Sequence, residues 1–177
     1  MPNELYSQLE KVRDGSFLKR NQSAFACFYE VIIKTELLAK YLSTFKVIIK
    51  KEDLDINNKH AKPSIFDKLN VLHILVNSRL DPIEVLQIGK HRNSLAHDFE
   101  TALRFTVKLG SLIDVVDNID RFSIECETAF FGNTVKPQLV KIVQSDDEHI
   151  YQITIGGNTY DIEKSRLFPG PPPTVTK

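Results

Sequence analysis

The chain has 177 residues, 42% of them hydrophobic and 26% charged, enough for one domain to bury a core without metal or disulfide support. Its 23 basic and 23 acidic residues cancel, which excludes a general polyanion binder driven by a large positive field but not a local phosphate site. Cys27 and Cys126 lie far apart with no metal spacing and read as buried free thiols. A polar N-terminus in place of a leader, and no apolar run near the ~20 residues of a membrane span, complete the expectation of a cytoplasmic protein.

In chain order, Leu5, Leu9 and Val12 predict a short amphipathic helix over 3–13, stopped by Asp14-Gly15-Ser16. A long, mostly helical segment follows over about 17–50. Phe28, Ile32, Thr35, Ala39 and Leu42 mark one stripe, widened by Phe25, Val31, Leu38 and Phe45. Glu30 and Lys34 are four apart, the spacing of an exposed ion pair. The sharper reading places Glu30 in a cleft as a substrate-binding residue. Residues 51–62 read as a polar connection, made basic by Lys50, Lys51, Lys59, His60 and Lys62. A solvated loop is the plain reading, and a track for RNA the other.

Pro63 is expected at the first position of a helix carrying Ile65, Leu69, Leu72 and Val76 to about Leu80. His73 falls inside that run, as a core histidine. Asp81-Pro82 then supplies an N-cap and first helical residue. Ile83, Leu86 and Ile88 follow, and Gly89 is expected to interrupt. A further long helix runs to about Phe122 along Phe105, Leu109, Leu112, Val116 and Ile119. Phe130-Phe131-Gly132-Asn133 reads as a loop. Three short strands are expected at 139–143, 150–155 and 159–162, with turns at Ser145–Glu148 and Gly156-Gly157-Asn158. The elements sum to a mainly α protein. A helical bundle covers 1–125, a small antiparallel β-meander 126–168, and a disordered Pro-rich tail 169–177.

The candidate site is Arg92-Asn93-Ser94-Leu95-Ala96-His97, the only place where a guanidinium, an amide and an imidazole fall within six residues. Asn93 and His97 are four apart and share a helix face. Arg92 lies about 140° round from His97 on an ideal helix, so it joins them only from a frayed helix start or by bending back. An imidazole exchanges protons near neutral pH. A guanidinium grips phosphate oxygens through paired, charge-assisted hydrogen bonds. A helix N-terminus nearby would add to both effects. Lys90 and His91 directly precede the trio as candidate substrate-binding residues. The plain alternative is a helix brace: Arg92 and Asn93 capping, His97 packed against Asp98 and Phe99. There is no Gly-rich phosphate loop, metal-ligand cluster or nucleophile motif.

A helical bundle whose last long helix is entered through Arg-Asn-x-x-x-His resembles the HEPN superfamily over roughly residues 17–122. Its signature is an arginine followed by a polar residue, then a histidine four to six residues on. The layout of Phe66–Val76, a short break, Asp81–Ile88 and the motif is similar to the mannitol-operon-regulator-like branch. The resemblance implies an HEPN-like antiparallel bundle and a metal-independent, cofactor-free endoribonuclease. Two copies would form a homodimer with the motifs facing across a cleft. His97 would be the general acid or base on a ribose 2′-OH, Arg92 would hold the scissile phosphate, and Asn93 would orient one of them. The products would carry a 2′,3′-cyclic phosphate. A toxin or phage-defence effector, held by an inhibitory protein partner, fits that activity. A non-catalytic regulatory or protein-interaction module of the same type is the alternative. Some toxin members carry a modified tyrosine two residues after the histidine, where this chain has Phe99.

Overall fold

A computed structural model describes residues 16–52, 62–97, 109–144 and 150–163. The expected helix at 3–13, Lys59, His60, Asp98, Phe99, the start of the last long helix, the Ser145–Glu148 turn and the Pro-rich tail lie outside the described residues. So do the side chains of Cys27 and His97.

The described elements are α1 (Ser16–Ala39), α2 (Tyr41–Thr44), β1 (Val47–Glu52), α3 (Ile65–Leu75), α4 (Pro82–His97), α5 (Leu109–Phe131), β2 (Gln138–Gln144), β3 (Ile150–Ile155) and β4 (Asn158–Glu163). The strands form one mixed sheet in the order β1-β2-β3-β4. β1 runs parallel to β2, with Val47 opposite Gln138, and the other two pairings are antiparallel.

This corrects the expected mainly α bundle with an appended three-stranded meander. The fold is mixed α/β, and its fourth strand comes from between the helices. Lys46-Val47-Ile48-Ile49 does not continue α1. Lys46 adopts φ 57°, which no helix tolerates. Three β-branched residues in a row then favour the pleated conformation. A parallel partner needs a long crossover, and α3, α4 and α5 provide it. The division expected after residue 125 falls inside α5, which runs on to Phe131 through the segment read as a loop. Buried residues of the helices and of the sheet belong to one cluster, Val31, Leu38, Leu69, Ile119 and Phe122 joining Val140, Ile142 and Ile153.

The helix ends follow local chemistry. Ser64 caps α3 and Asp67 completes the box: Asp67 N donates to Ser64 Oγ at 3.2 Å and Ser64 N to Asp67 Oδ2 at 2.8 Å. Pro63 therefore sits just outside the helix, not at its first position. α3 stops at Leu75, short of Leu80, because Asn77 turns left-handed at φ 51°. Asp81 caps α4 as expected, accepting from Ile83 N at 2.8 Å while Glu84 reaches back to Asp81 N at 2.9 Å.

Gly89 does not interrupt α4. It is buried, and a Cβ there would lie 2.7 Å from both Cδ1 and Cε1 of Phe66. The glycine is the point of close approach between α3 and α4 rather than a helix break. Lys34 ties α1 to α5, donating to Asp120 Oδ1 at 2.9 Å and Oδ2 at 3.2 Å. That hydrogen bond is the chief reason the Lys34 ammonium titrates above its ordinary range. His73, expected in the core, is half-buried at its edge: its Nε2 lies 2.8 Å from the Leu80 carbonyl and its ring meets Phe122 edge-on. Among the described residues no helix is long and apolar enough to cross a membrane.

Candidate functional site

The Arg92–His97 segment occupies the second half of α4. This corrects its expected place at a helix start. Arg92 is ten residues past Pro82, about 15 Å along the axis. The positive end of the helix dipole acts only over the first turn. That source of phosphate affinity and imidazole tuning is therefore removed for this helix.

Val85, Ile88 and Leu95 are buried at intervals of three and seven. Arg92 falls on the same stripe, so its guanidinium turns towards α1 rather than back to His97. There it meets a residue that sequence reasoning missed. Nη2 of Arg92 donates to Glu36 Oε1 in a close ion pair, and Nη1 donates to Asn93 Oδ1 at 2.9 Å. The third donor, Nε, is closed off from solvent and has no partner among the described residues. The Arg92 side chain is 22% exposed and the Glu36 side chain 44%, so the pair is only partly buried between α1 and α4.

The Asn93 contact is one between neighbours on α4. His97 is the last described residue of α4, one turn beyond Asn93 on the same face of the backbone. The structure brings Arg92 and Asn93 together and adds Glu36. Lys90 is half-buried and makes no ion pair among the described residues. His91 is half-buried with Nδ1 2.8 Å from the Gln87 carbonyl, a contact along its own helix.

Glu30 does not join the group. It pairs with Lys34 at 3.6 Å, and six residues place it about 120° round α1 from Glu36. The basic connection is also reassigned in part. Lys51 belongs to β1 and its Nζ lies 2.9 Å from Asp67 Oδ2, a carboxylate 3% exposed. That lysine neutralises a buried acid.

Glu36 left one trace in the sequence. It follows Ile32 by four and precedes Ala39 by three, so it is a carboxylate beside the apolar stripe of α1, the face that packs on other helices.

Beside Glu36 opens a cleft of about 300 Å³, walled by Ala39, Leu42, Val47, Ile49 and Pro63, with Lys40, Ser43 and Lys68 as its other polar residues. Among the described residues no group of three or more His, Cys, Asp or Glu is placed to hold a metal ion. Comparison with known proteins finds no matching family model, no matching curated protein and no matching solved structure.

Proposed function

We propose that the protein is a metal-independent endoribonuclease of the HEPN type, acting as a cytoplasmic homodimer. The supporting observation is the posture of Arg92. A planar cation is held by oxygens from two helices, Glu36 and Asn93, and its side chain stays 22% exposed. It stands five residues from a histidine in the same helix. In this reading Arg92 binds the scissile phosphate and counters the charge that grows on its oxygens. His97 takes the proton from the ribose 2′-OH or returns one to the leaving 5′-oxygen. The 2′-oxygen attacks phosphorus, the P–O5′ bond breaks, and the products are a 2′,3′-cyclic phosphate and a free 5′-hydroxyl. The second copy supplies an opposing trio.

A non-catalytic interaction module is the second reading. The same ion pair favours it, because Glu36 already neutralises Arg92 and braces α1 against α4.

The two are separated by incubating the purified protein with mixed RNAs in the presence of a chelator. Cleavage leaving cyclic-phosphate ends, lost in Arg92→Ala and in His97→Ala with unchanged circular dichroism, supports the nuclease. Intact RNA with the unaltered protein rejects it in favour of the module.

A further inference from the structure

The cleft next to Glu36 belongs to no role assigned so far. It lies where the end of α1, α2, the first half of β1 and the head of α3 converge. Its volume of about 300 Å³ is at the small end of ligand sites, the scale of a single nucleotide rather than of a folded domain. Its walls divide by chemistry. Ala39, Leu42 and Val47 are buried and, with Ile49 and Pro63, give an apolar surface. Lys40, Lys68 and Ser43 are the polar residues along with Glu36.

The two lysines decide the charge. Neither Lys40 nor Lys68 makes an ion pair among the described residues, whereas Lys34 and Lys51 each do. Glu36, the cleft's one carboxylate, is engaged by Arg92. Among the described residues the cleft therefore carries two ammonium groups without an ion-pair partner beside an apolar wall, and its acidic member leads to the guanidinium of the candidate catalytic trio. An apolar wall meets a base through hydrophobic contact, and ammonium groups donate hydrogen bonds to phosphate oxygens as point charges.

We propose that this cleft is a nucleotide subsite. It holds one base of single-stranded RNA against Ala39, Leu42, Val47, Ile49 and Pro63, with the adjoining phosphate between Lys40 and Lys68, and Glu36 links it to Arg92. The inference rests on the nuclease reading for its choice of RNA, but it concerns binding and is tested apart from cleavage.

The probe is a short, fluorescently labelled single-stranded RNA with every 2′-hydroxyl methylated, so that no strand scission can follow. Anisotropy titrations over a range of salt concentrations compare the wild type with Lys40→Ala, Lys68→Ala, their double variant and Lys141→Ala. The last removes an exposed lysine of β2 outside the cleft. Each single cleft variant should raise Kd about tenfold, the loss of one charge-assisted contact, and the double variant about a hundredfold. Each single variant should also reduce the slope of log K against log salt by about 0.7, a change that a structural role would not produce. Lys141→Ala should bind as the wild type does. No binding by the wild type, an unchanged Kd in the double variant, or equal weakening by Lys141→Ala overturns the subsite. A protein that binds the probe through Lys40 and Lys68 but cuts no unmodified RNA keeps the subsite and loses the nuclease reading. Cleavage of unmodified RNA alongside an unchanged Kd in the double variant does the reverse.

Discussion

Gly89 lies directly against the ring of Phe66, so close that the smallest possible side chain would enter it: 2.7 Å from an added Cβ to the two nearest ring carbons. Both residues are buried, so the ring has little room to yield. Alanine is favoured over glycine in a helix by about 1 kcal/mol. Overpacking a tight contact costs about 1–3 kcal/mol. The second effect should win, and Gly89→Ala should lower the melting temperature despite its better helix propensity. Phe66→Leu in the same chain should relieve the clash, so the double variant should be more stable than the sum of the two single changes predicts. Strict additivity in thermal melts would show that α3 and α4 do not meet at this point.

Lys51 and Asp67 form a second relationship across elements, between β1 and the cap of α3. Asp67 is 3% exposed and Lys51 32%. Removing either partner has unequal consequences. Lys51→Met keeps the aliphatic stem but leaves a buried carboxylate with the Ser64 amide as its one remaining donor among the described residues. This should cost about 2–3 kcal/mol, below the full cost of breaking a wholly buried pair because the site meets solvent on the lysine side. The paired change Lys51→Met with Asp67→Asn should recover part of the loss. Denaturant unfolding of the four proteins gives the coupling energy directly, and a coupling near zero would contradict the contact.

Cys126 has no exposed surface, and burial pushes its thiol up to about 12, with the neighbouring Glu125 carboxylate adding to the effect. The folded protein therefore keeps this proton at pH values where the unfolded chain has lost its own. Because the folded value is raised, the contribution to stability is full below the ordinary thiol value. It declines by about 1.4 kcal/mol per pH unit above that value and is gone once pH passes about 12. Cys126→Ala should flatten this part of the alkaline stability profile. The native thiol should also resist a maleimide at neutral pH and react once denaturant is added. Rapid labelling of Cys126 in the folded protein would show that it is accessible.

Much of the helical half was legible because its signals are local. Asp81-Pro82 marks the start of α4 with a cap and a residue that needs no amide partner. Thr35 takes the core position its spacing implied, and Gly156 and Gly157, both at positive φ, form the turn between β3 and β4. β1 was not legible. Val47, Ile48 and Ile49 extend an apolar run after Phe45, and a run that short does not separate a strand from a helix turn. Its partner β2 lies beyond three helices, so the decisive pairing is non-local. Gly89 misled for a related reason. The residue that explains it, Phe66, is on another helix, and from sequence alone a mid-helix glycine reads as a break. At the candidate site the polar trio was visible, while Glu36 was not, because its contact to Arg92 spans 56 positions.

Glu36 now offers the sharpest test of whether the Arg92 group works as a site or a strut. Glu36→Gln keeps the size and an acceptor oxygen but removes the charge that holds the guanidinium. If Arg92 grips a phosphate, RNA should bind more tightly to this variant, since a negative charge has left the cleft. Cleavage should slow, by up to about 10²-fold in kcat, because the fork loses its orientation. Asn93→Ala should show the same fall in kcat with little change in affinity, as it disturbs orientation without altering charge. Arg92→Lys keeps the cation and loses the planar fork, so it should bind RNA nearly normally and turn over poorly. A brace would behave differently: all three changes would lower the melting temperature and leave RNA affinity where it was. Opposite movements of affinity and kcat in Glu36→Gln, measured with the same RNA, therefore favour the site, and a shift in stability alone favours the strut.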